Sequence, residues 1–380
     1  LTAQLHQIFG HQRVDQPCAS KTYYKLEEVH LVPSETSYLR GLVGRSMSMR
    51  PLYFLLPGTT GKFYCGGLFA ELKTLKIAQQ ICSAEVVTYR QRETGTLFLD
   101  DLLTQGQNPD VIFVVSWGFD VPKLLKRLRG QAVMYHAHSA NYGFRLPGNV
   151  PIVTVSRNTM GYWGQLAPNS LIFHLPNEIS PEFVNQGKPR DIDVLVQARK
   201  SSEYLIKQLI PALQQQCNVY VIDQFVDNLG DLFNRSKVYL YDSAEYWAQQ
   251  GVTEGFGLPP LEAMAAGCHV FSSVNSALAD YLDPGFNCQK IAGYALEYDL
   301  HRIMERVGRD QPFELPVDFL EPYRVASIVP RLETILTEIN RFFDRYPTYR
   351  HPIADLTPSR LRQLRIRTFW QKVRKKLKLG

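Results

Sequence analysis

Fifteen residues, Thr253-Glu254-Gly255-Phe256-Gly257-Leu258-Pro259-Pro260-Leu261-Glu262-Ala263-Met264-Ala265-Ala266-Gly267, hold the densest chemistry in the chain. They read as a tight glycine loop feeding a helix. Gly255 and Gly257 allow close approach of the backbone to a ligand. Pro259 or Pro260 suits a first helical turn, and free amides at the helix start would hold an anion or hydroxyl groups. Glu254 and Glu262 frame the loop. A carboxylate accepts two hydrogen bonds side by side, which suits a vicinal diol such as a ribose.

Other groups of the right type follow predicted strands. Asp193-Val194-Leu195-Val196-Gln197-Ala198-Arg199-Lys200 is a strand ending in two cations. Gly58-Thr59-Thr60-Gly61-Lys62-Phe63-Tyr64-Cys65-Gly66-Gly67 is a glycine cluster after the opening strand, in a place where many strand-to-helix turns carry one. Tyr135-His136-Ala137-His138-Ser139 contains His-x-His, but no third metal ligand lies nearby in sequence. Either histidine is equally at home in a core or in solvent. Asp100-Asp101 is the only adjacent aspartate pair, and it falls inside a helical stretch.

These groups need a scaffold. Short apolar runs alternate with amphipathic stretches, the pattern of stacked β-α units on a parallel sheet. Strands are expected at 52–56, 85–88, 111–115, 132–135, 152–155 and 171–173, then at 192–196, 218–222, 238–241 and 269–271. Helices are expected at 67–81, 121–129, 203–216, 260–266, 295–306, 321–346 and 357–378. Leu175-Pro176-Asn177-Glu178-Ile179-Ser180-Pro181 carries two prolines in seven residues and reads as a hinge. The expected domains are therefore an extension over 1–48, a first domain over 49–176, a second over 177–346 and a basic tail over 347–380. Ligands of open α/β sheets bind at the carboxyl ends of the strands.

The long segment resembles the E-x7-E signature of retaining, family 4-like glycosyltransferases (glycosyl transferases group 1). That resemblance implies the GT-B fold, two Rossmann-like α/β domains facing across a cleft, and extends over residues 50–310. It gives Glu262 the ribose of a nucleotide-sugar donor and Glu254 the transferred sugar. Gly255, Phe256, Gly257 and Leu258 would meet the sugar and diphosphate through loop amides. Arg199 would neutralise the diphosphate. The lysine common about five residues later in the family is replaced by Tyr204, so Lys200 or Lys207 supplies the second charge. Gly66 and Gly67 would open the first helix toward the donor phosphate. His138, better aligned than His136, would lie near the sugar's outer hydroxyls. Ser156 would cap a helix. The loop Phe225-Val226-Asp227-Asn228 would present its backbone to the base, with Val226 among the contacts. Asp242–Val252 is an unusual insertion, whose Tyr246 and Trp247 either stack on an acceptor sugar or bury against the domain.

The resemblance implies sugar transfer to a glycan or glycolipid acceptor hydroxyl with retention, and no cofactor or metal. The rival readings are a sugar phosphorylase, a nucleotide-sugar epimerase and an inactive binding module. A phosphorylase would need a phosphate site and often pyridoxal, and no lysine context points to one.

Composition bounds the remaining choices. The chain has 380 residues, 45% hydrophobic and 21% charged, ordinary values for a globular protein. It begins at Leu1 rather than Met, as a trimmed chain or a piece of a longer polypeptide would. Six cysteines with long, uneven gaps and no C-x-x-C pair fit a reducing cytoplasm. The net charge of +6 hides an asymmetry, because residues 356–380 hold nine basic and no acidic side chains. The expected place is cytoplasmic, at the inner face of the membrane if residues 357–378 form a helix on anionic lipid. The other options for that helix are packing on the first domain and, least favoured, nucleic acid.

Overall fold

Leu52-Tyr53-Phe54-Leu55-Leu56 and Ile112-Phe113-Val114-Val115 are apolar on both faces, so each must lie between two layers. The computed structural model describes residues 49–106, 110–224, 226, 228–293, 295–309, 311–345 and 356–377. The expected extension 1–48, Cys18, Phe225, Asp227, residues 346–355 and the last three residues lie outside them.

The first sheet contains β1 (Leu52–Leu56), β2 (Ala84–Thr88), β3 (Leu97–Phe98), β4 (Ile112–Val115), β5 (Ala132–Ala137), β6 (Ile152–Thr154) and β7 (Ile172–His174). Its order is β3-β2-β1-β4-β5-β6-β7, parallel throughout. The second contains β8 (Ile192–Gln197), β9 (Val219–Ile222), β10 (Ser236–Tyr241), β11 (His269–Ser272) and β12 (Gln289–Lys290). Its order is β12-β11-β10-β8-β9, again parallel. Strand order reverses beside β1 in one sheet and beside β8 in the other. Loops splay apart at such points and leave a crevice.

The side chains alternate as the pleat requires. Leu52, Phe54, Ile112 and Val114 enter one core, while Leu55, Phe113 and Val115 enter the core on the opposite face. Six helices bear on the cleft or its surroundings: α1 (Gly66–Ala78), α2 (Arg157–Leu166), α3 (Ala244–Gln250), α4 (Leu258–Ala265), α5 (Val325–Arg345) and α6 (Pro358–Lys376).

Helix α5 lies in the segment expected to close the second domain. It instead buries Ile328, Leu332, Ile335, Leu336 and Ile339 in the core formed by Leu52, Phe54 and Leu75 of the first. Its apolar stripe matches the first sheet's open face, so the chain crosses back between domains before residue 325. Arg324 fastens the two crossings together. Its guanidinium donates to the carbonyls of Ile179, Ser180 and Phe183 at 3.0, 2.9 and 2.9 Å.

Two short edge strands, β3 and β12, were not expected, because two residues carry no periodic signal. Strand β5 runs two residues further than expected, so His136 lies within it rather than after it. Among the described residues, no helix is long and apolar enough to cross a membrane.

Candidate active site

The loop after β10 and the loop after β8 meet at the second sheet's reversal. Glu254 is buried there, and its Oε2 accepts three hydrogen bonds: from Tyr241 Oη at 2.6 Å, Trp247 Nε1 at 2.6 Å and Ser243 Oγ at 3.0 Å. Three donors on one oxygen fix the carboxylate in place. Its Oε1 takes no hydrogen bond from the described residues. The 242–252 insertion supplies two of these donors. It folds into α3, which Gly251 ends at φ +68. Trp247 is half-buried against its own domain: its indole edge donates to Glu254 and its face receives Lys200 Nζ, 4.5 Å from the ring centroid.

Lys200 adopts φ +71. Burial lowers its pKa, opposed by Glu254 and reinforced by Arg199. Arg199 is exposed and makes no hydrogen bond or ion pair with the described residues. Tyr204 and Lys207 are committed elsewhere: Tyr204 Oη donates to Asp299 at 2.9 Å, and Lys207 pairs with Glu203 on the surface. The second charge beside Arg199 is therefore Lys200.

The Gly255–Leu258 loop leads into α4. The backbone N–H groups of Gly255, Phe256, Gly257 and Leu258 donate to nothing among the described residues. Pro259 and Pro260 have no N–H, so the free amides lie in the loop and at the first helical position rather than throughout the first turn. The two glycines serve a purpose the sequence did not show. A Cβ on Gly255 would lie 1.5 Å from the His138 carbonyl oxygen, so this glycine lets the two domains touch. Gly257 sits at φ +79, where a Cβ would strike Leu278. The Phe256 ring is core, packed beside Tyr281 and Tyr323 at 5.8 Å each, leaving only its backbone available. Val226 likewise packs on the second domain's core.

Glu262 is buried in α4, and its carboxylate takes no hydrogen bond from the described residues. Burial pushes its pKa up to about 7, against the pull of Lys73 on α1. Lys73 also donates to Ser180 Oγ in the hinge segment.

Across the cleft, α1 starts at Gly66 and Gly67, both exposed, and a Cβ on Gly66 would meet open space. The loop after β5 closes on the second domain: Ser139 Oγ donates to the Thr253 carbonyl at 2.6 Å, and Ala140 N to Thr253 Oγ1 at 3.2 Å. Beneath it lies Glu71, which sequence reasoning missed. Its Oε2 is 2.5 Å from His136 Nδ1 and 2.7 Å from His138 Nε2. The ligand-type atoms of the three residues lie within 4.8 Å of one another, a spacing that would also admit a metal ion. Burial raises the Glu71 pKa, but the two imidazoles outweigh it and hold the carboxyl at about 2.

Two other readings have plain outcomes. Ser156 Oγ accepts from Thr159 N at 3.1 Å and caps α2. Asp100 and Asp101 pair with Arg127 and Arg92 on the surface, away from the cleft groups.

Residues 190–311 match the family described as Glycosyl transferases group 1, which supports a sugar-transfer function. A glycosyltransferase from Rickettsia africae ESF-5 is 10% identical, aligned over 77% of this chain and 98% of its own, with a TM-score of 0.54. Sucrose-phosphate synthase from Thermosynechococcus elongatus is 12% identical over 76% and 99%, with a TM-score of 0.51. A chain of the GtfA/B complex is 12% identical over 63% of this chain at a TM-score of 0.47, and this chain spans 59% of it. No curated protein sequence matches the chain. At such identities the likeness is one of fold, and that fold is GT-B: two parallel α/β domains facing across a cleft, the second carrying a glycosyl transferases group 1 match.

Proposed function

We propose that the chain is a retaining, metal-independent glycosyltransferase. It moves a hexosyl unit from a nucleotide sugar to a hydroxyl of a glycan or glycolipid, in the building of a polysaccharide or glycolipid. The observation that carries this reading is the set of unpaired groups on the second domain's wall. Four successive amides at 255–258, the Glu262 carboxylate and the Arg199 guanidinium all lack partners among the described residues. Polar groups that the protein leaves without partners are available to a ligand, and a nucleotide sugar satisfies each kind. Its diphosphate takes the amides and cations, and its ribose diol takes Glu262.

The chemistry follows from that placement. As the glycosidic bond breaks, charge builds on the leaving phosphate, and Arg199, Lys200 and the loop amides stabilise it where it develops. Those fixed cations do the electrostatic work that a metal ion does in other glycosyltransferases. The fixed Glu254 carboxylate offers Oε1 to the sugar hydroxyls. The acceptor proton passes to the leaving phosphate on the same face, so no side chain is needed as base and configuration is retained. The seam between the His138–Ala140 and Thr253–Gly255 segments excludes water during transfer.

Helix α6 gives the enzyme its place. None of its residues is buried, so it does not pack back on the first domain. Ile366, Phe369, Trp370, Val373 and Leu377 share one side at i, i+3, i+4, i+7 and i+11, flanked by cations. That face suits an anionic lipid surface, where each cation contributes about 1 kcal/mol, and it would hold the enzyme at the inner face of a membrane beside a glycolipid acceptor.

A thermal-shift screen over UDP-, GDP-, dTDP- and ADP-sugars tests the donor reading. One donor class should raise the melting temperature saturably, as ligands of the native state do. No shift with any of the four at millimolar concentration would overturn it.

A further inference from the structure

Glu71, His136 and His138 form a closed hydrogen-bonded group on the first domain's wall. Glu71 is 1% exposed and His136 1%, whereas the His138 side chain keeps 16% of its surface. The rings lie 4.4 Å apart, inclined at 58°. One carboxylate oxygen stands between two ring nitrogens at ordinary hydrogen-bond lengths, so both nitrogens carry protons toward it. Two atoms of the group are buried without partners, Glu71 Oε1 and His136 Nε2. With Nδ1–H directed at Glu71, a neutral His136 leaves a bare lone pair at Nε2. A protonated His136 would leave a buried N–H without an acceptor, which is the rarer and costlier defect. The arrangement therefore fits a carboxylate and two neutral imidazoles. Burial also lowers the His138 pKa, against the pull of the Glu71 carboxylate, in keeping with a neutral ring.

His138 Nδ1 makes no hydrogen bond within the described residues and is not among the buried unpartnered atoms, so it lies on the ring's exposed edge. The His138 carbonyl touches Gly255, beside the loop that follows Glu254. We propose that Glu71 is a positioning residue: it fixes His138 in the Nε2–H tautomer, so that bare Nδ1 accepts a hydrogen bond from a hydroxyl of the transferred sugar, while His136 locks Glu71 in place. The sugar half of this inference rests on the donor reading above. The hydrogen-bond half does not. Sequence places these residues 65 and 67 positions apart, and only the crossing of α1 beneath the end of β5 joins them.

The test begins with nitrogen-15 NMR of the full chain labelled at histidine, with His138→Gln and His136→Gln for assignment. His138 should show a pyrrole-like Nε2 and a pyridine-like Nδ1, and His136 the opposite tautomer. Glu71→Gln keeps an acceptor oxygen and should retain the pattern. Glu71→Leu should let the His138 nitrogens average. Affinity is then compared for whichever sugar nucleotide binds among UDP-, GDP-, dTDP- and ADP-glucose and for its nucleoside diphosphate alone. Glu71→Leu should weaken the sugar nucleotide about tenfold, the loss of one hydrogen bond, and leave the diphosphate unchanged, with Glu71→Gln close to wild type.

Several results would overturn the proposal. One is His138 in the Nδ1–H tautomer in the wild type. Another is equal weakening of both ligands in Glu71→Leu, which would mark a merely structural role. A third is stoichiometric zinc or manganese binding that Glu71→Leu abolishes, which would make the group a metal site. The predicted tautomers with no donor binding in the wild type would overturn the donor reading and the sugar half together, and leave the hydrogen-bond assignment standing.

Discussion

The two walls of the cleft solve the problem of buried polar groups in opposite ways. On the first domain's wall, Glu71, His136 and His138 are hydrogen-bonded to one another through Glu71 Oε2, and only Glu71 Oε1 and His136 Nε2 stay without partners. On the second, Glu262 and the amides of residues 255–258 have none. A hydrogen-bonded group is rigid and sets geometry, whereas groups without protein partners are free to meet a ligand. The contrast recurs within eight residues. Glu254 is held by three donors and Glu262 by none, although the two share a loop and helix. The first is fixed in place, and the second is left open.

The largest effect that would sharpen this contrast is at the cations. Replacing Arg199 and Lys200 together by alanine should lower kcat by about a hundredfold to a thousandfold, the usual loss on removing charge stabilisation from a transition state. Steady-state kinetics with the donor found by screening check it, and an unchanged kcat would move the leaving-group site elsewhere. Gly255→Ala comes next. The added Cβ meets the His138 carbonyl and forces the domains apart. Turnover should fall about a hundredfold, as a misplacement of about 1 Å can cause. Nucleoside diphosphate affinity, measured by calorimetry, should fall less than turnover, because the amides of Phe256, Gly257 and Leu258 remain to hold it.

Glu262 gives a pH signature. Its pKa is raised from 4.5 to about 7 by burial, so the fold favours the protonated form. Its contribution to stability is complete below about 4.5 and is lost as pH rises through 7. Glu262→Gln should therefore stabilise the unliganded protein at pH 8, by up to about 3 kcal/mol, and little at pH 4.5. A ribose diol prefers the carboxylate, so wild-type donor affinity should rise between pH 6 and pH 8 and that of Glu262→Gln should stay flat. Denaturant melts and calorimetry across this range report both. The smallest effect concerns α6, outside the cleft. The full chain should sediment with phosphatidylglycerol vesicles and not with phosphatidylcholine, and Phe369→Ser with Trp370→Ser should release it while leaving kcat on a soluble acceptor unchanged. Equal binding to both lipids would remove the electrostatic basis of the attachment.

Much of this was written locally. Doubly apolar runs such as Ile112-Phe113-Val114-Val115 announce buried parallel strands, and the spacing of Glu254 and Glu262 places both in one loop-helix unit. What sequence did not reveal is contact between distant segments. Nothing in Glu71 distinguishes it from a solvated helical glutamate until α1 crosses beneath β5. Trp247 reads as a stacking or packing residue until α3 turns its N–H onto Glu254. Helix α5 has a clear apolar stripe, but a stripe does not say which sheet it will cover. The close approach of Gly255 to His138 likewise depends on both domains at once.

The central claim is that the open amides of Gly255, Phe256, Gly257 and Leu258 hold the donor's diphosphate beside Glu262. Hydrogen–deuterium exchange resolved to single amides, with and without the bound sugar nucleotide, tests it directly. The account predicts fast exchange at these four positions in the free protein and strong protection in the complex, lost again in Glu262→Ala at the same donor concentration. A donor that binds saturably while these four amides keep exchanging as before would contradict it.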